Sequence, residues 1–236
     1  MSLPKIDYPI YKIKVPSLKK EYHFRSFLVK EEKLLLMAKE SEEPADVLMA
    51  IKQIINNCSL DKKLEIGKLA LFYLEYIFLR LRAISVDNNI KVSYRDNEDG
   101  KVYDFEVNLD EVDIEYPEKL DNNIKITPKS GIIMKYPSAA LYDDKEFLNL
   151  EKDYMFELII RCIESIYYED QIYECKDYTK QELNEFLENL NIKTFEAIQK
   201  FLINVPKMKY EIKYKNELGN EREIVLSSLN DFFTWR

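Results

Sequence analysis

One histidine, His23, and four glycines in 236 residues leave little material for acid–base catalysis or nucleotide binding. A hydrolytic triad needs a base that titrates near neutrality. His23 stands two residues after Glu21 in an extended stretch, with no cysteine or G-x-S-x-G run beside it, so a structural imidazole is the plainer reading. Gly67, Gly100, Gly131 and Gly219 are too dispersed to write a P-loop or a G-x-G-x-x-G fingerprint. The three cysteines, Cys58, Cys162 and Cys175, include no C-x-x-C pair, which points to reduced, buried thiols rather than a disulfide scaffold or a metal knuckle. No cofactor and no metal is therefore expected. No apolar run approaches the roughly 20 residues that span a bilayer; the best, residues 69–81, is broken by Glu75 and Arg80. Residues 1–20 carry prolines and lysines where a signal peptide would carry an apolar core, so no membrane partner is expected.

What the chain does have is a 46% apolar, 33% charged composition, enough for a real core at this length. Lys and Arg number 35 against 43 Asp and Glu, a net charge of −8, with no basic tract. Nucleic-acid binding by counterion release needs such a tract, so no nucleic-acid partner is expected. Tyr22, Phe24 and Phe27, interleaved with Arg25 after Lys19 and Lys20, have the residue types that stack on bases, but packing of this segment on the core is the simpler account. Acidic pairs such as Asp143 with Asp144, or Glu111 with Asp113, have the chemistry of a glycosidase pair or a magnesium site. With 43 acids in the chain their spacing carries no specificity.

Hydrophobic periodicity supplies the fold expectation. I-Y-K-I-K-V at 10–15 alternates like a half-buried strand inside an extended arm, residues 1–29. Helices are predicted at residues 30–39, 45–57 and 66–86. The last is apolar on more than one face, with Leu74, Tyr76, Ile77, Phe78, Leu79 and Leu81 as the core's organisers, and its Arg80 and Arg82 are expected to pair with Glu75 and nearby acids. Residues 90–94 and 102–107 around D-N-E-D-G form one predicted hairpin, and residues 210–214 and 222–226 around K-N-E-L-G a second. Each turn holds an asparagine and closes on glycine: Asn97 with Gly100, Asn216 with Gly219. The two read as a supersecondary pseudo-repeat or as convergence on common turn chemistry. Residues 113–127 read as loop and short strand. Further helices are predicted at 151–168, at 180–190 behind the capping box Thr179–Glu182, and at 194–205, with a short helix behind Ser227 or Ser228 at the end. The expected class is α+β and mainly helical: a helical core with two β-hairpins and an extended N-terminal arm. Its divisions are 1–29, 30–113 and 114–236, the last two forming one compact body.

Several segments taken together are similar to a known family. R-S-F with E-E-K-L-L-L-M-A at 25–38, L-E-Y-I-F-L-R-L-R-A-I-S-V at 74–86, M-K-Y-P at 134–137, F-E-A-I-Q-K-F-L-I-N-V-P at 195–206 and L-S-S-L-N-D-F-F at 226–233 resemble the T4-type phage baseplate hub family. Ser228 and Asp87 stand where the family pattern carries glycine. The resemblance implies a structural or assembly protein of the baseplate hub of a contractile-tailed phage. Such a protein acts in the host cytoplasm during morphogenesis or in the virion tail, through contacts with other hub or tail proteins and without catalysis. A transient assembly chaperone of the hub or tape-measure protein is the alternative reading, and a wall hydrolase riding on the baseplate a remote one. The candidate contact residues are Phe232, Phe233 and Trp235, which either fold back on the core or meet a neighbouring subunit, and the turn residues Asn97, Gly100, Asn216 and Gly219, for which plain solvent loops are the simpler reading.

Overall fold

The computed structural model describes residues 7–232, apart from Ser17, Lys19, Glu42, Lys62, Lys63, Lys119, Leu120, Asn149 and Glu151. The chain divides into two compact units, one drawn from residues 1–115 and 207–236, the other from residues 116–206.

The first unit opens with β1 (Ile10–Val15) and β2 (Lys20–Arg25), an antiparallel pair in the register Ile13↔Tyr22. The alternation in β1 buries Ile13 and Val15 and exposes Lys12 and Lys14, and Phe24 of β2 is fully buried. The predicted arm is thus a hairpin, and β1 packs on a helix of the same unit. Helices α1 (Val29–Glu40), α2 (Pro44–Cys58) and α3 (Leu71–Ser85) follow, with Pro44 in the first turn of α2, where a missing N–H costs nothing. A 3-10 turn over Ile66–Lys68 stands where the predicted third helix was to begin. In α3 the side chains of Leu74, Tyr76, Ile77, Phe78, Leu79 and Leu81 are all buried, and β1, α2 and later strands pack around them. Strands β3 (Asn89–Arg95) and β4 (Val102–Asn108) form the first predicted hairpin, and the short β5 (Asp113–Glu115) follows.

The second unit is built on an antiparallel sheet of order β6-β7-β8-β9, from β6 (Asn123–Thr127), β7 (Ser130–Met134), β8 (Ile163–Tyr168) and β9 (Gln171–Glu174). Helices α4 (Lys145–Leu148) and α5 (Tyr154–Cys162) lie between β7 and β8, and α6 (Lys180–Glu188) and α7 (Ile192–Ile203) follow β9. The capping box that opens α6 is formed: the Glu182 amide donates to the Thr179 hydroxyl at 3.3 Å and the Thr179 amide to the Glu182 carboxylate at 2.8 Å. Ile132, Ile159, Cys162, Ile198 and Phe147 anchor this unit's core. The chain then returns to the first unit as β10 (Lys207–Lys215), β11 (Glu221–Leu226) and α8 (Leu229–Phe232), with β10 pairing both β11 and β5.

Eleven strands in four sheets among the described residues overturn the expectation of a mainly helical chain; the architecture is mixed. Residues 151–168, expected as one helix, form a helix and a strand. The apolar spacing there holds for α5, but Ile163–Tyr168 leaves the helix and pairs with β7 as a strand. Over six residues rich in isoleucine and tyrosine, a helical stripe and a buried strand have the same apolar signature, and the neighbouring strand decides. The strands β2, β6, β7 and β9 are short or polar, and their pairings supply what their own periodicity does not.

The three cysteines are free and buried, and burial pushes their thiols up to about 11 for Cys58, about 12 for Cys162 and about 11 for Cys175. They pack as small apolar groups.

Candidate functional site

The two turns singled out in the sequence meet each other. Each closes by backbone bonds: the Asp96 amide donates to the Lys101 carbonyl at 2.8 Å and the Asn216 amide to the Asn220 carbonyl at 3.0 Å. Gly100 and Gly219 take φ of 72° and 88°, the left-handed conformation such turns require. Both turns begin on an Asx side chain that accepts from a backbone amide ahead of it, Asp96 from Glu98 at 2.7 Å and Asn216 from Asn220 at 2.9 Å.

Across the gap the Tyr214 hydroxyl donates to Asp96 Oδ2 at 2.5 Å, Asn216 Nδ2 to Glu98 Oε2 at 2.7 Å and Asn220 Nδ2 to Glu98 Oε1 at 2.8 Å. Arg222 donates to Asn97 Oδ1 at 2.7 Å and lies 3.3 Å from Asp96 Oδ2. The Glu217 amide donates to the Tyr103 hydroxyl, which itself donates to Asp99. Beneath this polar layer Tyr214 packs on Tyr103 and Phe105, ring centroids 4.9 and 5.1 Å away. Asp96 is wholly buried and Asn216 nearly so, whereas Asn97, Gly100 and Gly219 are exposed.

The Tyr214 hydroxyl, two backbone amides and the Arg222 charge hold the Asp96 carboxyl below the usual carboxylate range, against its burial. Burial and the Asp96 hydrogen bond push Tyr214 up to about 12. The seam is therefore ionised at Asp96 and neutral at Tyr214 throughout the ordinary pH range. Arg222→Ala is expected to lower the melting temperature by roughly 3–8 °C, because it removes the donor to Asn97 and the charge paired with Asp96 at once. Calorimetry of the variant against the parent chain checks this. Asn97, Gly100, Asn216 and Gly219 were visible in the sequence, but their partners Asp96, Glu98, Tyr214 and Arg222 were not. The one available signal was the Asx residue at the head of each turn.

Elsewhere in this unit the expected ion pairs of α3 are replaced. Arg80 donates to Asp110 at 2.8 Å and to the Leu109 carbonyl at 3.0 Å, and Arg82 lies 3.9 Å from Glu32. Glu75 pairs with neither, and burial pushes its carboxyl up to about 7. With a native value above the unfolded 4.5, the folded state holds this proton more tightly, so the Glu75 contribution to stability falls as pH rises from about 4.5 to about 7. Glu75→Gln is expected to gain about 1–3 kcal/mol at pH 8 and nothing at pH 4. Urea titrations of both chains at the two pH values measure that difference.

Glu111, Asp113, Glu115 and Glu211 line a shallow cleft of about 410 Å³ with Lys209 and Tyr210. Lys209 bridges Glu115 at 2.5 Å and Glu211 at 2.8 Å, holding Glu211 below the usual carboxylate range, the wrong direction for a general acid. Asp144 pairs with Arg161 at 2.6 Å. His23 lies 3.3 Å from Asp61. Among the described residues no group of three or more His, Cys, Asp or Glu side chains is placed to hold a metal ion, and no helix is long and apolar enough to cross a membrane. Phe232 is buried in the first unit, and Asp231 caps α8 by accepting from the Ser227 and Ser228 amides at 2.9 and 2.8 Å. Phe233 and Trp235 lie outside the described residues.

Residues 8–234 match the family model described as T4 bacteriophage base plate protein. Neither the curated proteins nor the solved structures contain a significant match. The family match runs through both units and takes in the hairpin seam, α3 and the unit between β5 and β10: this chain belongs to the T4 bacteriophage base plate protein family.

Proposed function

We propose that the protein is a component of the central hub of a contractile-tailed phage baseplate, assembled in the host cytoplasm and retained in the virion tail. In this reading it works through contacts with other hub or tail proteins and carries out no reaction. The observation that carries the reading is the family match over residues 8–234. The segment most similar to the hub pattern, residues 74–83, belongs to the buried α3, so the resemblance concerns the core and not only a surface motif. The outer face of α1 adds support, with Val29, Leu36 and Met37 each more than half exposed, apolar surface of the kind that assembly covers.

Mass spectrometry of purified particles beside infected-cell lysate tests the proposal. The protein is expected in the particles together with other baseplate components. Its absence from particles, with recovery of a hub or tape-measure partner in pull-downs from lysate, would replace the hub subunit by a transient assembly chaperone. Release of wall fragments by the purified chain would replace both by a hydrolase.

A further inference from the structure

We infer that α1 is the contact through which two copies of this chain pair, antiparallel, about a two-fold axis. The helix has two distinct sides. Glu31, Leu35 and Ala38 are buried on one, and α1 packs on α2. Val29, Lys33, Leu36, Met37 and Glu40 are exposed on the other. At 3.6 residues per turn these exposed positions fall within about 100° of one another, opposite the buried three. Leu36 and Met37 stand side by side at the middle of the stripe, each more than half exposed, with Val29 at its start.

The charges on this side select a second copy as the occupant. Lys30 already lies 3.7 Å from Glu31, and Glu32 lies 3.9 Å from Arg82. Lys33 and Glu40 have no ionic partner among the described residues. An isologous interface must be complementary to itself, and this stripe is. Positions 33 and 40 are equally far from the midpoint between Leu36 and Met37. A two-fold axis through that midpoint, with the helices antiparallel, therefore sets Lys33 of each copy against Glu40 of the other, while Leu36 and Met37 meet their own counterparts between the two cross pairs. A parallel pair would set lysine on lysine and glutamate on glutamate, and like-charge repulsion disfavours it. A helical face about 18 Å long and about 10 Å wide is smaller than the roughly 800 Å² per partner of a standard interface, so the pair is a weak one. The inference names an occupant for the α1 surface but stands or falls apart from the hub assignment, since self-association is read on the purified chain and virion membership on particles.

Sedimentation equilibrium of the full chain at about 0.05 M salt, where surface charges are little screened, tests it. The parent chain is expected to dimerise with a dissociation constant on the order of 100 µM. Lys33→Glu and Glu40→Lys, each with unchanged circular dichroism, are each expected to weaken dimerisation at least about tenfold, because each turns both cross pairs into like-charge contacts. Mixed one to one, the two variants are expected to pair with each other about as tightly as the parent chain does, since the two new charges then face each other and the two native ones do likewise. A parent chain that stays monomeric up to about 1 mM, self-association untouched by either swap, or variants that stay monomeric when mixed would each overturn the inference. So would a mixture of Lys33→Glu with the parent chain that associates more tightly than the parent alone, which is the mark of a parallel pair.

Discussion

Glu31→Ala is expected to lower the melting temperature by roughly 6–20 °C. Glu31 is fully buried near the start of α1, where its carboxylate takes both guanidinium nitrogens of Arg25 at 3.0 and 3.1 Å and the Leu28 amide at 3.0 Å. Arg25 in turn donates to the carbonyls of Ser26 and Asn57, both at 2.9 Å, so one ion pair ties β2, the entry of α1 and the end of α2 together. Removing the carboxylate leaves Arg25 largely buried with its charge uncompensated, a change that costs about 3–5 kcal/mol in other buried pairs. Replacing Arg25 and Glu31 together by methionine and leucine should cost much less, since no charge is left behind. Burial pushes Glu31 up, but the Arg25 hydrogen bonds, the Leu28 amide and the Arg25 and Lys30 charges outweigh it, and its native value lies below the ordinary 4.5. Its contribution to stability is therefore complete above about pH 4.5 and is lost as pH falls through that lower native value. Thermal melts of the three chains from pH 3 to 7 check both the size and the pH window. A Glu31→Ala chain as stable as the parent at pH 7 would mean that the pair contributes nothing.

The second large effect is expected in the other unit, where Gly131→Ala should cost about 2–4 kcal/mol. Gly131 is buried on the central strand β7, and its register partner Tyr167 lies across it. A Cβ there would sit 2.7 Å from Tyr167 Cζ and 2.8 Å from the Ile124 carbonyl oxygen. Rotating Tyr167 away relieves only the first contact and gives up its 3.0 Å hydrogen bond to Asn123. The second contact is with backbone of β6, so the sheet itself must move. Tyr167→Ala in the Gly131→Ala background is thus expected to recover only part of the loss, and chemical denaturation of the single and double variants measures how much.

Which parts of this molecule could be read from residue order follows from where the deciding contacts lie. Helix α3 announced itself because an apolar surface on more than one face is local information, and the hairpins β3–β4 and β10–β11 because their turns state their own chemistry. Strand β8 reads as helix because its partner β7 lies about 30 positions away, and a six-residue run with four isoleucines and tyrosines suits a helix as well as a strand. The contact candidates show the same division. Asn97, Gly100, Asn216 and Gly219 were legible as turn residues, but their seam joins side chains about 120 positions apart, a separation over which spacing carries no signal. The exchange of Glu75 for Asp110 as the partner of Arg80 has the same origin, since the carbonyl and carboxylate at 109 and 110 reach the helix only through the tertiary fold.

The pairing of β5 with β10 has a consequence for synthesis. Glu115 and Lys207 are register neighbours, yet the ribosome makes about 90 residues between them. At roughly 5–20 residues per second this takes on the order of 5–18 s. Throughout that interval the nascent chain carries α3 and an open β5 edge with β10 and β11 still unmade. The first unit thus spends its first seconds without the two strands that complete its three-stranded sheet.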